Sequence, residues 1–217
     1  MPAISPAGQP GTPSDWFASP PGQALIDSEA GLVRQALGQR PGPPWLWLAP
    51  VPQRADACGR GVCLRVRDGG WDGALRCALP LPLANESVGT VVLQHVPASR
   101  EQAAALLDEC ARVLVPGGRL WLFALNPLSP YRWRWRGHDL RASEPLTWRR
   151  RMRDAGLAPE AVSQGVGPRW KVEVRDVAGN GPGLCAAYAL RAERRVVPLT
   201  PIRRRAGLRI PQRAAAG

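Results

Sequence analysis

The order of three segments between Asn85 and Asn126 narrows this 217-residue chain most. Thr90-Val91-Val92-Leu93 is a short β-branched apolar run between polar residues, the pattern of a buried strand. Ala103, Leu106, Leu107, Cys110, Ala111 and Leu114 then fall at i, i+3, i+4, i+7, i+8 and i+11, one face of a 3.6-residue period. Ser99 and Gln102 make a capping box at the start of that helix, and Pro116-Gly117-Gly118 stops it. Leu120 to Leu125 is a second buried run. Strand, helix and strand with short joints form a βαβ unit, which requires a parallel sheet and a right-handed crossover.

At 45% hydrophobic content the chain can bury the core of one such α/β domain. Its 24 prolines and 23 glycines gather in the first 22 residues, in 41–52 and in 179–183, which predicts a mobile terminus and loops. Five cysteines (Cys58, Cys63, Cys77, Cys110, Cys185) form no C-x-x-C pair, and there are only two histidines. Neither a metal site nor a disulfide framework is expected. No run is long enough to span a bilayer, and the first residues lack the basic and apolar regions of a signal peptide, so a cytoplasmic protein is expected. The net charge is +12, nearly all of it beyond residue 100. That surplus suits a phosphate-bearing partner such as RNA or an anionic membrane. A single lysine among 29 basic residues, with abundant Ala, Pro and Gly, is equally what a GC-rich genome gives.

Taken in order, residues 1–13 read as disordered, 14–192 as the folded domain and 193–217 as a basic tail. Ser14 to Phe17 begins a short amphipathic segment. A helix runs from about Gly22 to Leu37, with Leu25, Ile26, Leu32, Val33, Ala36 and Leu37 on its apolar side. Strands are expected at Trp45–Ala49 and Gly61–Val66, with a third, or its remnant, at Leu75–Leu79. Tyr131 to Arg136 alternates aromatic and Arg residues; it suits stacking on nucleic acid, or a cap on the sheet with indoles inward and guanidiniums in water. A helix over Glu144–Ala155 ends at Gly156. Strand candidates follow at Val162–Val166, Lys171–Val177 and Leu184–Leu190, the last two joined by a turn at Asn180-Gly181-Pro182-Gly183.

The wording of residues 80–126 is more specific than its shape. Leu81-Pro82-Leu83, Asn85-Glu86-Ser87, Val91–Leu93, Gln94-His95, Arg112-Val113-Leu114-Val115-Pro116-Gly117-Gly118 and Arg119–Leu125 follow one another in an order that resembles the second half of a class I S-adenosylmethionine-dependent methyltransferase domain, of the methyltransferase type 11 kind. Val196 to Ile202 resembles a phrase at the end of a bacterial subgroup. The resemblance implies a Rossmann-like, doubly wound, seven-stranded, mostly parallel sheet with an antiparallel C-terminal edge strand, here with a shortened first half. It implies S-adenosyl-L-methionine as cofactor and an unidentified methyl acceptor.

The same resemblance nominates the site. The cofactor's surroundings would be Ala49 and Pro50 after the first strand, Asp68 after the second, Ala78 and Leu79 at the third, and Gln94 and His95 after the fourth. Asp68, 19 residues beyond Ala49, would accept the ribose hydroxyls; it equally reads as a turn residue before Gly69-Gly70. Where the family carries a glycine-rich loop, this chain has Ala49-Pro50-Val51-Pro52-Gln53, with two N–H donors removed. It also has Cys77-Ala78-Leu79 in place of an acidic residue near the adenine, and Gly89 where many relatives have Asp. His95 is the candidate catalytic base. The alternative is a catalytically silent relative whose basic C-terminal half binds nucleic acid or a protein.

Overall fold

A computed structural model describes residues 12–52, 60–67, 69–96, 99–138, 140–169 and 184–195. Of the stretch 1–13 expected to be disordered, residues 1–11 lie outside the described residues, as do the strand at 171–177, the turn at 180–183, Asp68 and most of the basic tail.

The chain opens with α1 (Pro13–Ala18), capped reciprocally by Thr12 and Asp15, and α2 (Pro20–Gly38). The two helices meet at Gly22, where an added Cβ would lie 2.2 Å from the Trp16 carbonyl oxygen. β1 (Trp45–Ala49) and β2 (Gly61–Arg67) follow, parallel and in register from Trp45↔Gly61 to Ala49↔Arg65. Trp45 lies across Gly61, whose missing side chain makes room for the indole.

The expected third strand at Leu75–Leu79 is not there. β2 turns back instead through Gly69, at φ +75°, into β3 (Gly70–Gly73), which pairs with it antiparallel. Asp72 stands opposite Arg65 and bonds both Arg65 and Arg67, so a charged cross-strand pair holds a hairpin where a parallel crossover was expected. Of 75–79 only Cys77 remains bridged, to Trp71.

From β4 (Val88–Gln94) to α3 (Arg100–Val113) and β5 (Leu114–Leu125) the βαβ unit stands as read, with the Ser99–Gln102 capping box in place. The helix ends at Val113, three residues short of Pro116. Its last carbonyls, on Arg112 and Val113, accept from the Glu86 and Ser87 amides, and Leu114 already pairs with Val88. Gly89 has a packing reason: a Cβ there would lie 2.7 Å from Pro43 Cβ. Beyond β5 come α4 (Arg132–Trp135), α5 (Pro145–Asp154), β6 (Ala158–Pro159), β7 (Gln164–Arg169) and β8 (Cys185–Glu193). β6 and β7 pair with successive parts of β8, so they amount to one edge strand broken at 160–163.

The sheet order is β3-β2-β1-β4-β5-β8-β6, parallel from β2 to β5 and antiparallel at both edges. Its central strands are buried on both faces. Leu46, Leu48, Val91, Leu93, Leu120 and Leu122 face α3 and α5; Trp47, Ala49, Val92, Trp121 and Phe123 face α1 and α2. No helix among the described residues is long and apolar enough to cross a membrane.

Candidate functional site

In an open parallel sheet the loops at the carboxyl ends of the strands form the ligand crevice. Here a cleft of about 810 Å³ opens beyond β1 and β2. It is lined by Pro50, Val51 and Pro52, by Arg65, Val66, Arg67 and Gly69, and by Thr12 to Asp15 and Ala18 of the first helix. The volume is in the range of small-molecule sites. Two guanidiniums face it, both half exposed and both bonded to Asp72, whose carboxyl those hydrogen bonds, Arg65 first, hold below the usual carboxylate range. Asp15 is the one carboxylate among the described lining residues, held low by its hydrogen bond from the Thr12 hydroxyl. Between Pro50 and Pro52, Val51 offers the one backbone N–H.

One strand over, about 5 Å away, the end of β4 is covered. Gln94 and His95 are buried, and the chain's own helices close over them. His95 takes a left-handed backbone, φ +46°, while its N–H still bonds the Phe123 carbonyl. Histidine tolerates that region better than most side chains. Its ring stacks on Phe17 of α1, with centroids 4.9 Å apart. Below it lies Glu29 of α2, fully buried. Glu29 Oε1 is 2.9 Å from His95 Nε2, and Glu29 Oε2 accepts from Gln94 Nε2 at 2.8 Å. Gln94 Oε1 in turn accepts from Trp47 Nε1 at 3.1 Å.

Donor chemistry orients part of this network. Trp47 can only donate, so the Gln94 oxygen must face it and the Gln94 amide nitrogen must face Glu29. With Glu29 as a carboxylate, which only accepts, His95 Nε2 is the donor of that pair. Nδ1 is buried and has no hydrogen-bond partner among the described residues. The space beside the ring is about 30 Å³, lined by Phe17, Val96, Leu140, Arg141 and Trp148 among others, room for a water but not a substrate.

Of the residues nominated from sequence, Pro50 lines the cleft and Ala49 is the buried last residue of β1 beneath it. Gln94 and His95 form the covered floor next to it. Ala78 and Leu79, after β3, are not among the cleft's lining residues; Ala78 is exposed and Leu79 packs on the core under α3. Glu29 was missed. Its signal was legible: it falls among Leu25, Ile26 and Val33, a charge on the apolar face of an amphipathic helix, where only a paired group is stable.

Comparison with known proteins bears on the fold. Residues 73–122 match the profile of the family described as methyltransferase domain. The fold matches a S-adenosylmethionine-dependent methyltransferase of Thermotoga maritima, described as a possible histamine N-methyltransferase. The TM-score is 0.53 at 16% identity, over 83% of this chain and 94% of that one. It also matches a chain of the complex between the Haloferax volcanii Trm112 methyltransferase activator and the putative methyltransferase. There the TM-score is 0.58 at 15% identity, over 85% and 98%. The fold is that of the class I methyltransferases. No curated protein sequence matches the chain. The stretch that carries the methyltransferase resemblance proves to be a clamp. Arg112 bonds Glu109 with two nitrogens and reaches the Leu81 and Leu83 carbonyls and Asn85 Oδ1, tying α3 to the segment that enters β4.

Proposed function

We propose that the protein is a methyltransferase that binds S-adenosyl-L-methionine in the cleft beyond β1 and β2 and passes its methyl group to an acceptor still to be identified. The observation that carries this is the position of the cleft, at the carboxyl ends of adjacent parallel strands and one strand from Gln94 and His95. The bound cofactor supplies an activated methyl group, so the protein has mainly to hold and orient two reactants and keep water out. The donor set differs from a glycine-rich loop but matches the ligand's charges. Arg65 and Arg67 offer guanidiniums to a carboxylate, Val51 offers a backbone N–H, and the Asp15 carboxylate suits an ammonium or ribose hydroxyls. His95 Nδ1, unpartnered among the described residues, is the ring nitrogen placed to take a proton from the acceptor when the ring is neutral. Opening the cover formed by α1 would admit that acceptor.

Isothermal titration with S-adenosylmethionine and with its demethylated product tests the assignment. Binding should be measurable; Arg65→Gln alone should weaken it roughly tenfold, the size expected when one charge-assisted hydrogen bond is removed, and Arg65→Gln, Arg67→Gln together roughly a hundredfold. No heat and no thermal stabilisation at millimolar ligand would reject it. That outcome favours the second reading, a silent relative with an arginine-rich half for nucleic acid or protein, which the loss of N–H donors at Pro50 and Pro52 also supports.

A further inference from the structure

Five large apolar side chains are exposed among the described residues, and three of them stand on two segments that hydrogen bonds tie together. Leu128 is 70% exposed, Trp133 59% and Leu184 49%. Hydrogen bonds hold their segments together. Asn126 Nδ2 donates to the Cys185 carbonyl at 2.9 Å, the Leu128 amide donates to Asn126 Oδ1 at 3.1 Å, and Ser129 Oγ donates to the Leu184 carbonyl at 3.3 Å. The Arg132 and Trp133 amides then bond back to Ser129 and Pro130. The apolar tips are therefore presented on a pegged scaffold. Arg132, Arg134 and Arg136 are exposed on the same short segment, and no acidic residue stands in α4.

We infer that Leu128, Trp133 and Leu184, fringed by Arg132, Arg134 and Arg136, form a patch that docks the protein on an anionic lipid surface. Leucine and tryptophan side chains enter the boundary between headgroups and acyl chains, and arginines beside them meet lipid phosphates and carboxylates. The chain's net charge of +12 adds attraction of the same sign. Single-stranded nucleic acid explains the patch less well. The guanidinium carbons of Arg132 and Arg136 already lie over the Trp133 ring, 5.5 and 5.2 Å from its centroid. Leu128 and Leu184 offer a base neither a stacking face nor a hydrogen bond.

The patch also sits at the mouth of the sheet's carboxyl edge. Trp16 Nε1 donates to the Arg134 carbonyl at 2.8 Å, and buried Trp135 packs edge-on against Trp16. Leu140 lines both the groove along α4 and the small cavity beside His95.

Sedimentation of the full chain with vesicles, without cofactor, tests this apart from methyl transfer. Vesicles of phosphatidylcholine and phosphatidylserine should carry the protein down at low salt, with binding falling as salt rises; phosphatidylcholine alone should bind it far less. The double change Leu128→Ser, Trp133→Ser should weaken binding roughly tenfold, as should Arg132→Gln, Arg134→Gln, Arg136→Gln. All five side chains are exposed, so thermal melting should confirm that both variants fold. Three results would overturn the inference. One is no vesicle binding at low salt. Another is binding abolished by Arg203→Gln, Arg204→Gln, Arg205→Gln in the tail and untouched by the patch variants. The third is a labelled single-stranded oligonucleotide that loses affinity on Trp133→Ser while vesicle binding does not.

Discussion

At the scale of single residues, Glu29 holds the floor of the site, and its role can be read from protons. In Glu29→Gln the new amide still has an oxygen for Gln94 Nε2, whose orientation Trp47 dictates. Its NH₂ must then face His95 Nε2, which has to become the acceptor. The ring proton moves to Nδ1. Nitrogen chemical shifts of the His95 ring should show the tautomer switch, with His138 as the internal control. An unchanged tautomer would mean that the network is not arranged as described. Glu29→Ala instead strips two buried donors of their acceptor, at about 1–3 kcal/mol each, and should lower the urea midpoint accordingly. The sequence held the position of Glu29 on the apolar face but not its partners. Gln94 and His95 lie 65 and 66 residues away, and only the crossing of α2 over the end of β4 brings them together.

At the scale of elements, the part that could be read was the part with a strong period. The apolar runs, the 3.6-residue period and the capping box between 85 and 126 located β4, α3 and β5, but β5 begins at Leu114, six residues before the expected Leu120, and takes in Pro116-Gly117-Gly118. The third strand failed because Leu75–Leu79 has strand-like composition while Gly69-Gly70 and the Arg65–Asp72 pair supply a local hairpin that forms without a crossover. Departures from a family's wording also have local causes. Gly89 replaces a common Asp because Pro43 occupies the space, and its N–H bonds the Pro44 carbonyl at 2.8 Å. Restoring the acid is thus harmful: Gly89→Asp should cost about 1–3 kcal/mol from overpacking alone, plus the burial of a charge. Urea denaturation should show a lower midpoint. Unchanged or raised stability would mean that Pro43 yields easily.

At the scale of the molecule, a net charge of +12 sets how acid unfolds the protein. Asp72, Glu109 and Asp15 are each held below their ordinary values, chiefly by hydrogen bonds from Arg65, Arg112 and Thr12 respectively. A carboxyl that is depressed in the folded state stabilises it fully above the unfolded value, 3.8 for Asp and 4.5 for Glu, and the benefit goes as pH falls through the lower folded value. The melting temperature should therefore be nearly level from pH about 7 to about 5 and fall steeply below about 4. Self-repulsion deepens the fall, because each protonated carboxylate adds to an excess that is already positive. Glu109 separates the two causes. It closes the clamp between α3 and the entry to β4, accepting from Arg112 and from the Leu81 amide at 2.8 Å. Glu109→Gln keeps the shape and removes the charge. Its melting temperature should lie below that of the unchanged protein at pH 7 and meet it once the pH has fallen below the lowered folded value of Glu109, where both side chains are neutral. Curves that stay parallel throughout would assign the acid limb to global repulsion instead of the clamp. In that case added salt, which screens repulsion, would restore most of the lost stability at low pH.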